Sequence, residues 1–85
     1  MTVVMQSIDP DRNRHREYGM EIQPTLFGEF ALIRWWHRIG QKPQKMEQWF
    51  DSMADALEAQ DQVIRLRQKH GYARLVPGGI NEPQT

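Results

Sequence analysis

The stretch EFALIRWWHRI, residues 29–39, decides the fold class. Successive side chains of a β-strand point to opposite faces, so the stretch divides into two sets. The odd-numbered set is largely apolar and is predicted to face the core; it comprises Ala31, Ile33, Trp35, His37 and Ile39. The even-numbered set begins apolar and ends in Arg34, Trp36 and Arg38. We therefore predict a half-buried strand with a core face and a binding face.

Further strands are predicted on both sides of this stretch. Residues 2–8 are rich in β-branched side chains, and residues 18–22 alternate apolar with polar side chains, so each run is typical of a strand. Residues 12–16 are predicted to be a polar, basic connection between these two strands. Residues 26–27, Leu-Phe, are predicted to fold onto the core from the following turn. Residues 44–50 are predicted to pair back as a fourth strand.

One long helix follows the strands. Ser52 is predicted to cap its first turn, and apolar residues recur at helical spacing over residues 53–70, although Gln60 interrupts the stripe. Gly71 is a natural residue for the helix end, and residues 72–76 are predicted to form a short closing strand. The order of elements predicts an α+β fold, with a small antiparallel sheet of four to five strands packed against one C-terminal helix.

The chain of 85 residues supports one domain, predicted over residues 1–76, with residues 77–85 as a flexible tail. The absence of cysteine excludes disulfides and thiolate metal sites. The sequence contains neither a signal peptide nor an apolar run long enough to span a membrane, so we expect a cytoplasmic location.

The net charge is zero, with 11 basic and 11 acidic residues, which is unusual for a dedicated nucleic-acid binder. The charges are nevertheless unevenly distributed. Residues 34–45 contain four bases and no acid, whereas residues 51–61 contain four acids and no base. Two interpretations remain open: ordinary solvated charges, or one basic and one acidic face.

Catalysis receives little support from the sequence. The histidines lie on different predicted elements, at His15, His37 and His70, and none has the spacing of a metal-ligand pair. No glycine-rich loop suited to phosphate is present. We therefore expect a non-catalytic protein without a metal or a cofactor.

The predicted binding face combines an aromatic ring with cations. The indole of Trp36 suits a base or a sugar, and the guanidinium groups of Arg34 and Arg38 suit phosphate. Lys42 and Lys45 would extend the positive patch along the next hairpin. In the alternative interpretation, Trp36 covers the sheet and the arginine stems pack over it as cation–π pairs.

Residues 34–40, RWWHRIG, resemble the signature that names the WGR domain. Residues 8–13, 18–32, 50–52 and 70–72 are similar to other parts of that family in the same order, so the resemblance covers residues 3–74. It implies a compact sheet with one packed helix. In poly(ADP-ribose) polymerases such domains contact DNA near a strand break, and the signature positions correspond here to Trp36 and Arg38.

One position departs from the signature, because His37 stands where the family has glycine. The imidazole either fills a gap in the core or narrows the binding surface. Two functions therefore compete. The first is DNA binding, including a preference for ends or nicks, through Trp36 and its neighbouring cations. The second is a protein-interaction module that docks onto a larger enzyme or regulator, suggested by the zero net charge and the separate acidic segment.

Overall fold

A computed structural model describes residues 2–75 of the chain. Five strands form one sheet, β1 (Thr2–Asp9), β2 (Arg14–Pro24), β3 (Phe30–Arg38), β4 (Gln44–Phe50) and β5 (Ala73–Leu75), with the helix α1 (Met53–Lys69) between β4 and β5. The strand order is β4-β3-β2-β1-β5, and every neighbouring pair is antiparallel. The predicted α+β fold, a small antiparallel sheet with one C-terminal helix, is confirmed.

Strand β2 is longer than its apolar alternation indicated. Residues 14–16 were expected in a connection, but their backbone continues the ladder with β1, where Arg16 faces Ser7 and Arg14 faces Asp9. A 3₁₀ turn over Pro10–Arg12 makes the connection instead. The prediction of a connection over residues 14–16 was wrong because it relied on apolar alternation. These residues are polar, but backbone hydrogen bonds between strands do not require apolar side chains.

The helix covers the face of β3 that was predicted to bind ligand. The even-numbered Leu32 is fully buried, and Phe30 and Trp36 pack against the same core. The core is formed by Val3, Met5, Tyr18, Met20, Ile22, Leu32, Ala56, Ile64 and Tyr72. The assignment of the two faces was therefore inverted. Both sets of β3 side chains are partly apolar, so alternation within this strand could not identify the side on which the helix lies.

The opposite sheet face carries Trp35, which was predicted to lie in the core. Trp35 pairs across the strands with Gly19, and the indole lies on the bare backbone of that glycine. A Cβ atom added at Gly19 would overlap the Trp35 ring. The side chain is thus partly buried on the face away from α1.

The helix begins and ends as its capping residues predict. The Ser52 hydroxyl accepts a hydrogen bond from the Asp55 amide at 3.1 Å, and Gly71 follows the helix with φ +91°. Both features satisfy backbone groups that a helix leaves unpaired at its termini. The buried stripe, however, is Ala56, Gln60 and Ile64, so Gln60 belongs to the core side of α1.

The β2–β3 turn contradicts the expectation that its apolar pair is buried. Leu26 is 98% exposed and Phe27 is 78% exposed. The Thr25 amide donates to the Glu29 carbonyl at 2.8 Å, and the Thr25 hydroxyl accepts from the Phe27 and Glu29 amides. The turn is thus closed by its own hydrogen bonds and projects both apolar side chains into solvent.

The predicted tail, residues 77–85, lies outside the described residues, and the domain boundary at residue 76 stays a prediction. Within residues 2–75, α1 is too short and too polar to cross a membrane. In the same range no three histidine, aspartate or glutamate side chains are grouped so that they could hold a metal ion.

Candidate functional site

An open pocket of about 410 Å³ lies beside the C-terminal end of α1, on the helix-covered side of the sheet. Its walls come from β2, β3, the β3–β4 turn, the start of β4, the last helical turns and the residue that precedes β5. The lining residues are Arg16, Tyr18, Trp36, His37, Arg38, Gln41, Lys42, Gln44, Arg67 and Tyr72. We call this the aromatic pocket.

Three aromatic rings form a row in this pocket. Tyr18 and Trp36 are cross-strand partners, and their rings stack with centroids 5.8 Å apart and an interplanar angle of 12°. Tyr72 also contacts Tyr18, in an edge-on arrangement with ring centroids 6.4 Å apart. The register of β2 and β3 therefore places Trp36 at one end of the row, with Tyr18 next to it.

Two arginines lie over these rings. The Arg67 guanidinium is 4.5 Å from the centroid of Tyr18, and the Arg14 guanidinium is 5.8 Å from that of Tyr72. Arg14 also donates from Nη2 to the His70 carbonyl at 3.0 Å. Cation–π contacts hold the guanidinium groups in place without neutralising their charge.

Two further arginines face each other across the strands. Arg16 of β2 is the register partner of Arg38 of β3. Arg38 donates from Nη2 to the Asn13 carbonyl at 3.2 Å, a contact that leaves its positive charge unpaired. Within residues 2–75 no carboxylate forms an ion pair with any of the five cations at or beside the pocket, which are Arg14, Arg16, Arg38, Lys42 and Arg67.

A second open pocket, of about 430 Å³, adjoins the first at the 3₁₀ turn. Its lining comprises Arg12, Asn13, Arg14, Arg16 and Arg38. Because Arg16 and Arg38 line both pockets, the two form one continuous basic surface. We call this second pocket the arginine corner.

His37, which stands at the glycine position of the signature, directs its ring to polar groups. Its Nδ1 lies 3.0 Å from the carbonyl oxygens of both Arg38 and Gln41, and its Nε2 lies 3.2 Å from Glu17 Oε1. Glu17 in turn accepts from Gln6 Nε2 at 3.1 Å. The imidazole therefore connects β2 to the β3–β4 turn, the turn that carries Lys42.

The structure brings together three of the five predicted binding residues, because Trp36, Arg38 and Lys42 all line the aromatic pocket. Arg34 instead donates from Nη2 to the Met46 sulfur at 2.9 Å. Lys45 pairs with Trp35 in the register and therefore lies on the other sheet face.

Sequence reasoning missed Arg16, Arg67, Tyr18 and Tyr72 as site residues. A signal for two of them was present, because Arg16 and Tyr18 have the same parity in β2 and so share a face. The contributions of Arg67 and Tyr72 depend on where α1 crosses the sheet, which no local pattern reports.

The fold and the site together define a class, a small α+β domain with an aromatic and cationic pocket. The family model of the WGR domain matches residues 1–78, and the chain belongs to that family. The chain is also similar to Uncharacterized protein y4dW of Sinorhizobium fredii (strain NBRC 101917 / NGR234), with 41% identity over 68 residues. That match covers 80% of this chain and 33% of the relative, so the chain spans about a third of the relative's length. No solved structure matches the chain.

Proposed function

We propose that the chain is a non-catalytic domain that binds DNA at the aromatic pocket, with Trp36, Arg38 and Lys42 as its principal contacts. One observation carries the proposal: cations and aromatic rings converge on one concave surface, where no carboxylate of residues 2–75 forms an ion pair with Arg16, Arg38, Lys42 or Arg67. Guanidinium groups can bind phosphate with two parallel hydrogen bonds, and aromatic rings offer flat surfaces to bases and sugars.

The side chains of the pocket would contact different parts of the DNA, according to their chemistry. Trp36 has Tyr18 stacked on one side, and its exposed part lines the pocket, where a sugar or a base can pack. Arg38, at the end of β3, and Lys42, in the β3–β4 turn, supply positive charge to the pocket. The WGR family supports the same roles, because its signature tryptophan and arginine contact DNA in poly(ADP-ribose) polymerases. A preference for DNA ends or nicks belongs to this proposal.

The zero net charge is compatible with binding because the opposite charges are separated. The acidic residues of α1 and its entry are exposed; they are Asp51, Asp55, Glu58 and Asp61. The pocket lies at the other end of the helix, beside Arg67. Attraction for phosphate is thus local to one end, and we expect moderate affinity that falls steeply as salt rises.

The test is an equilibrium titration of labelled blunt, nicked and single-stranded DNA at two salt concentrations. Lys42→Ala should weaken binding and lower the slope of log affinity against log salt by about 1, since one phosphate contact is lost. Lys45→Ala removes the same charge on the other sheet face and is the matched control. Absence of binding to all three DNAs at low salt, or equal effects of the two variants, would contradict the proposal.

Trp36→Ala is a second variant for this test, and it needs a folding control because Trp36 packs against the core. We expect DNA binding to weaken about fivefold or more, since stacking on an aromatic side chain contributes about 1–3 kcal/mol. Circular dichroism and thermal melting of the same sample show whether the fold survives. A folded variant with wild-type affinity would exclude Trp36 from the interface.

A second candidate function is protein interaction, and the exposed pair Leu26 and Phe27 favours it. Two adjacent apolar side chains on a closed turn are suited to an apolar cleft of a partner. This turn and the aromatic pocket lie at opposite ends of the sheet, so the two functions do not compete for one surface. The test is cross-linking of the chain to a protein partner. If the yield of cross-linking is the same for wild type and for the variants Leu26→Ser and Phe27→Ser, the protein-interaction function is wrong.

A further inference from the structure

We propose that the interface continues from the aromatic pocket into the arginine corner, and that this corner is a second phosphate site. The ligand is then a strand that presents at least two successive phosphates, rather than a single nucleotide. This inference rests on the proposed function and deepens it. Three of the residues that form the corner, Arg12, Arg14 and Arg16, lie outside the signature stretch 34–40, and Arg38 is the one signature residue that it uses.

Continuity is the first argument. The two pockets share Arg16 and Arg38, so an anion held by these two residues lies at the boundary of both. Each pocket is large enough for a nucleotide-sized group, with volumes of about 410 and 430 Å³. A ligand bound in one pocket thus reaches the other without crossing a barrier of protein.

Spacing along β2 is the second argument. Arg14, Arg16 and Tyr18 alternate in the strand and project from one sheet face, with neighbours about 7 Å apart. Arg14 lines the arginine corner, Arg16 lines both pockets, and Tyr18 lines the aromatic pocket. A nucleic-acid strand repeats phosphates and flat bases on a similar scale, so this row matches a polymer better than an isolated phosphate.

The Arg16–Arg38 pair is the third argument. Like charges directly opposite each other on neighbouring strands are destabilising. Here no described carboxylate pairs with either residue, and the repulsion persists in the free protein. A phosphate between the two guanidinium groups would remove that cost, because each could donate to it.

Asp9 is the carboxylate that competes at the corner. Its Oδ2 lies 3.6 Å from Arg12 Nε; the Arg12 side chain is 82% exposed and that of Asp9 is 42% exposed. Such an exposed pair is weak, so a phosphate can replace Asp9 as the partner of Arg12. Removal of the Asp9 charge should therefore favour ligand binding.

The experiment is a fluorescence titration of the full chain with a labelled 12-nucleotide single strand over a series of salt concentrations. Arg12→Gln should weaken binding about threefold and lower the slope of log affinity against log salt by about 0.7, the value for one phosphate contact on a single strand. Asp9→Asn should tighten binding about two- to threefold, a gain that unfolding cannot produce. The charge-matched controls are Arg65→Gln and Asp61→Asn, an exposed ion pair of α1 outside both pockets, and each should have less effect than its test variant.

The outcomes separate this inference from the proposed function. If Lys42→Ala weakens binding whereas Arg12→Gln and Asp9→Asn behave like their controls, the arginine corner is not a phosphate site and the proposed function stands. If the wild-type chain binds neither this strand nor the DNAs of the first test at low salt, both are wrong. If Arg12→Gln also lowers the melting temperature, its weaker binding could reflect partial unfolding. Asp9→Asn then decides, because tighter binding by that variant supports the inference and unchanged binding contradicts it.

Discussion

At the scale of single residues, adjacent tryptophans perform different tasks. Trp36 stacks on Tyr18 beside the helix, whereas Trp35 covers the backbone of Gly19 on the opposite face. An aromatic side chain across from a strand glycine shields backbone that would otherwise be open to water. Gly19 thus leaves room for the Trp35 indole, and the indole in turn shields the Gly19 backbone from water.

Gly19→Ala should destabilise the domain by about 1–3 kcal/mol, because the new methyl group must displace the Trp35 indole. Urea unfolding measures the loss. Trp35→Ala provides the control, since the double variant should lose less than the two single losses combined when the residues are in contact. Strictly additive losses would show that the indole does not lie on Gly19.

His37 is the departure from the family signature, and its side chain does not belong to the buried core. The ring contacts Glu17 and the carbonyl oxygens of the turn, and the residue also lines the aromatic pocket. Alternation in β3 predicted that His37 and Trp36 would point to opposite faces. The turn carbonyls could not be predicted as partners, because their position depends on how residues 38–41 fold.

At the scale of elements, all five strands and the helix were predictable, and their packing was less so. The Ser52 cap, the Gly71 terminus and the β4 strand follow from local chemistry and are confirmed. Which face of β3 meets α1 was not predictable from β3 alone. The register settles it, since Tyr18, Met20 and Ile22 of β2 align with the even-numbered residues of β3.

Gln60 shows how helix packing overrides the polarity of a side chain. It is only 3% exposed, and its Nε2 has no hydrogen-bond partner among the described residues. A buried amide donor without a partner costs about 1–3 kcal/mol. The i, i+4 stripe of Ala56, Gln60 and Ile64 nevertheless faces the sheet, so Gln60 occupies a core position.

Gln60→Leu should therefore raise the free energy of unfolding by about 1 kcal/mol, because leucine fills similar space without an unpaired donor. Gln62→Leu is the matched control on the same helix, and as an exposed position it should change stability by less than about 0.5 kcal/mol. Chemical denaturation compares the two. A destabilised Gln60→Leu would show that the amide is satisfied in solution.

At the scale of the whole molecule, the two ends of the sheet have different chemistry. The end beside the helix C-terminus holds the aromatic pocket and the arginine corner. The other end carries the β2–β3 turn with Leu26 and Phe27, near the acidic start of α1. The sequence predicted both charged segments, but the burial of Leu26 and Phe27 was a wrong expectation. An apolar residue in a turn is buried only if the turn bends back, and this one closes on Thr25.

The double variant Leu26→Ser, Phe27→Ser should leave the free energy of unfolding within about 0.5 kcal/mol of wild type, since neither side chain contributes to the core. Leu32→Ala, at a fully buried position, should by contrast lose about 2–5 kcal/mol. Thermal and urea unfolding provide the measurement. A large loss in the free energy of unfolding of the Leu26→Ser, Phe27→Ser variant would mean that these side chains pack against the domain in solution.

The strand order has a consequence for how the molecule assembles in time. Strands β1 to β4 pair with their neighbours in sequence, so their hairpins close over short loops. β5 instead pairs with β1, joining Leu75 to Val4 across almost the whole described chain. Long loops close at a greater entropic cost and more slowly. Arg67 and Tyr72 lie in the segment that leads into β5, so the aromatic pocket is completed by the part of the chain whose strand pairing closes the longest loop.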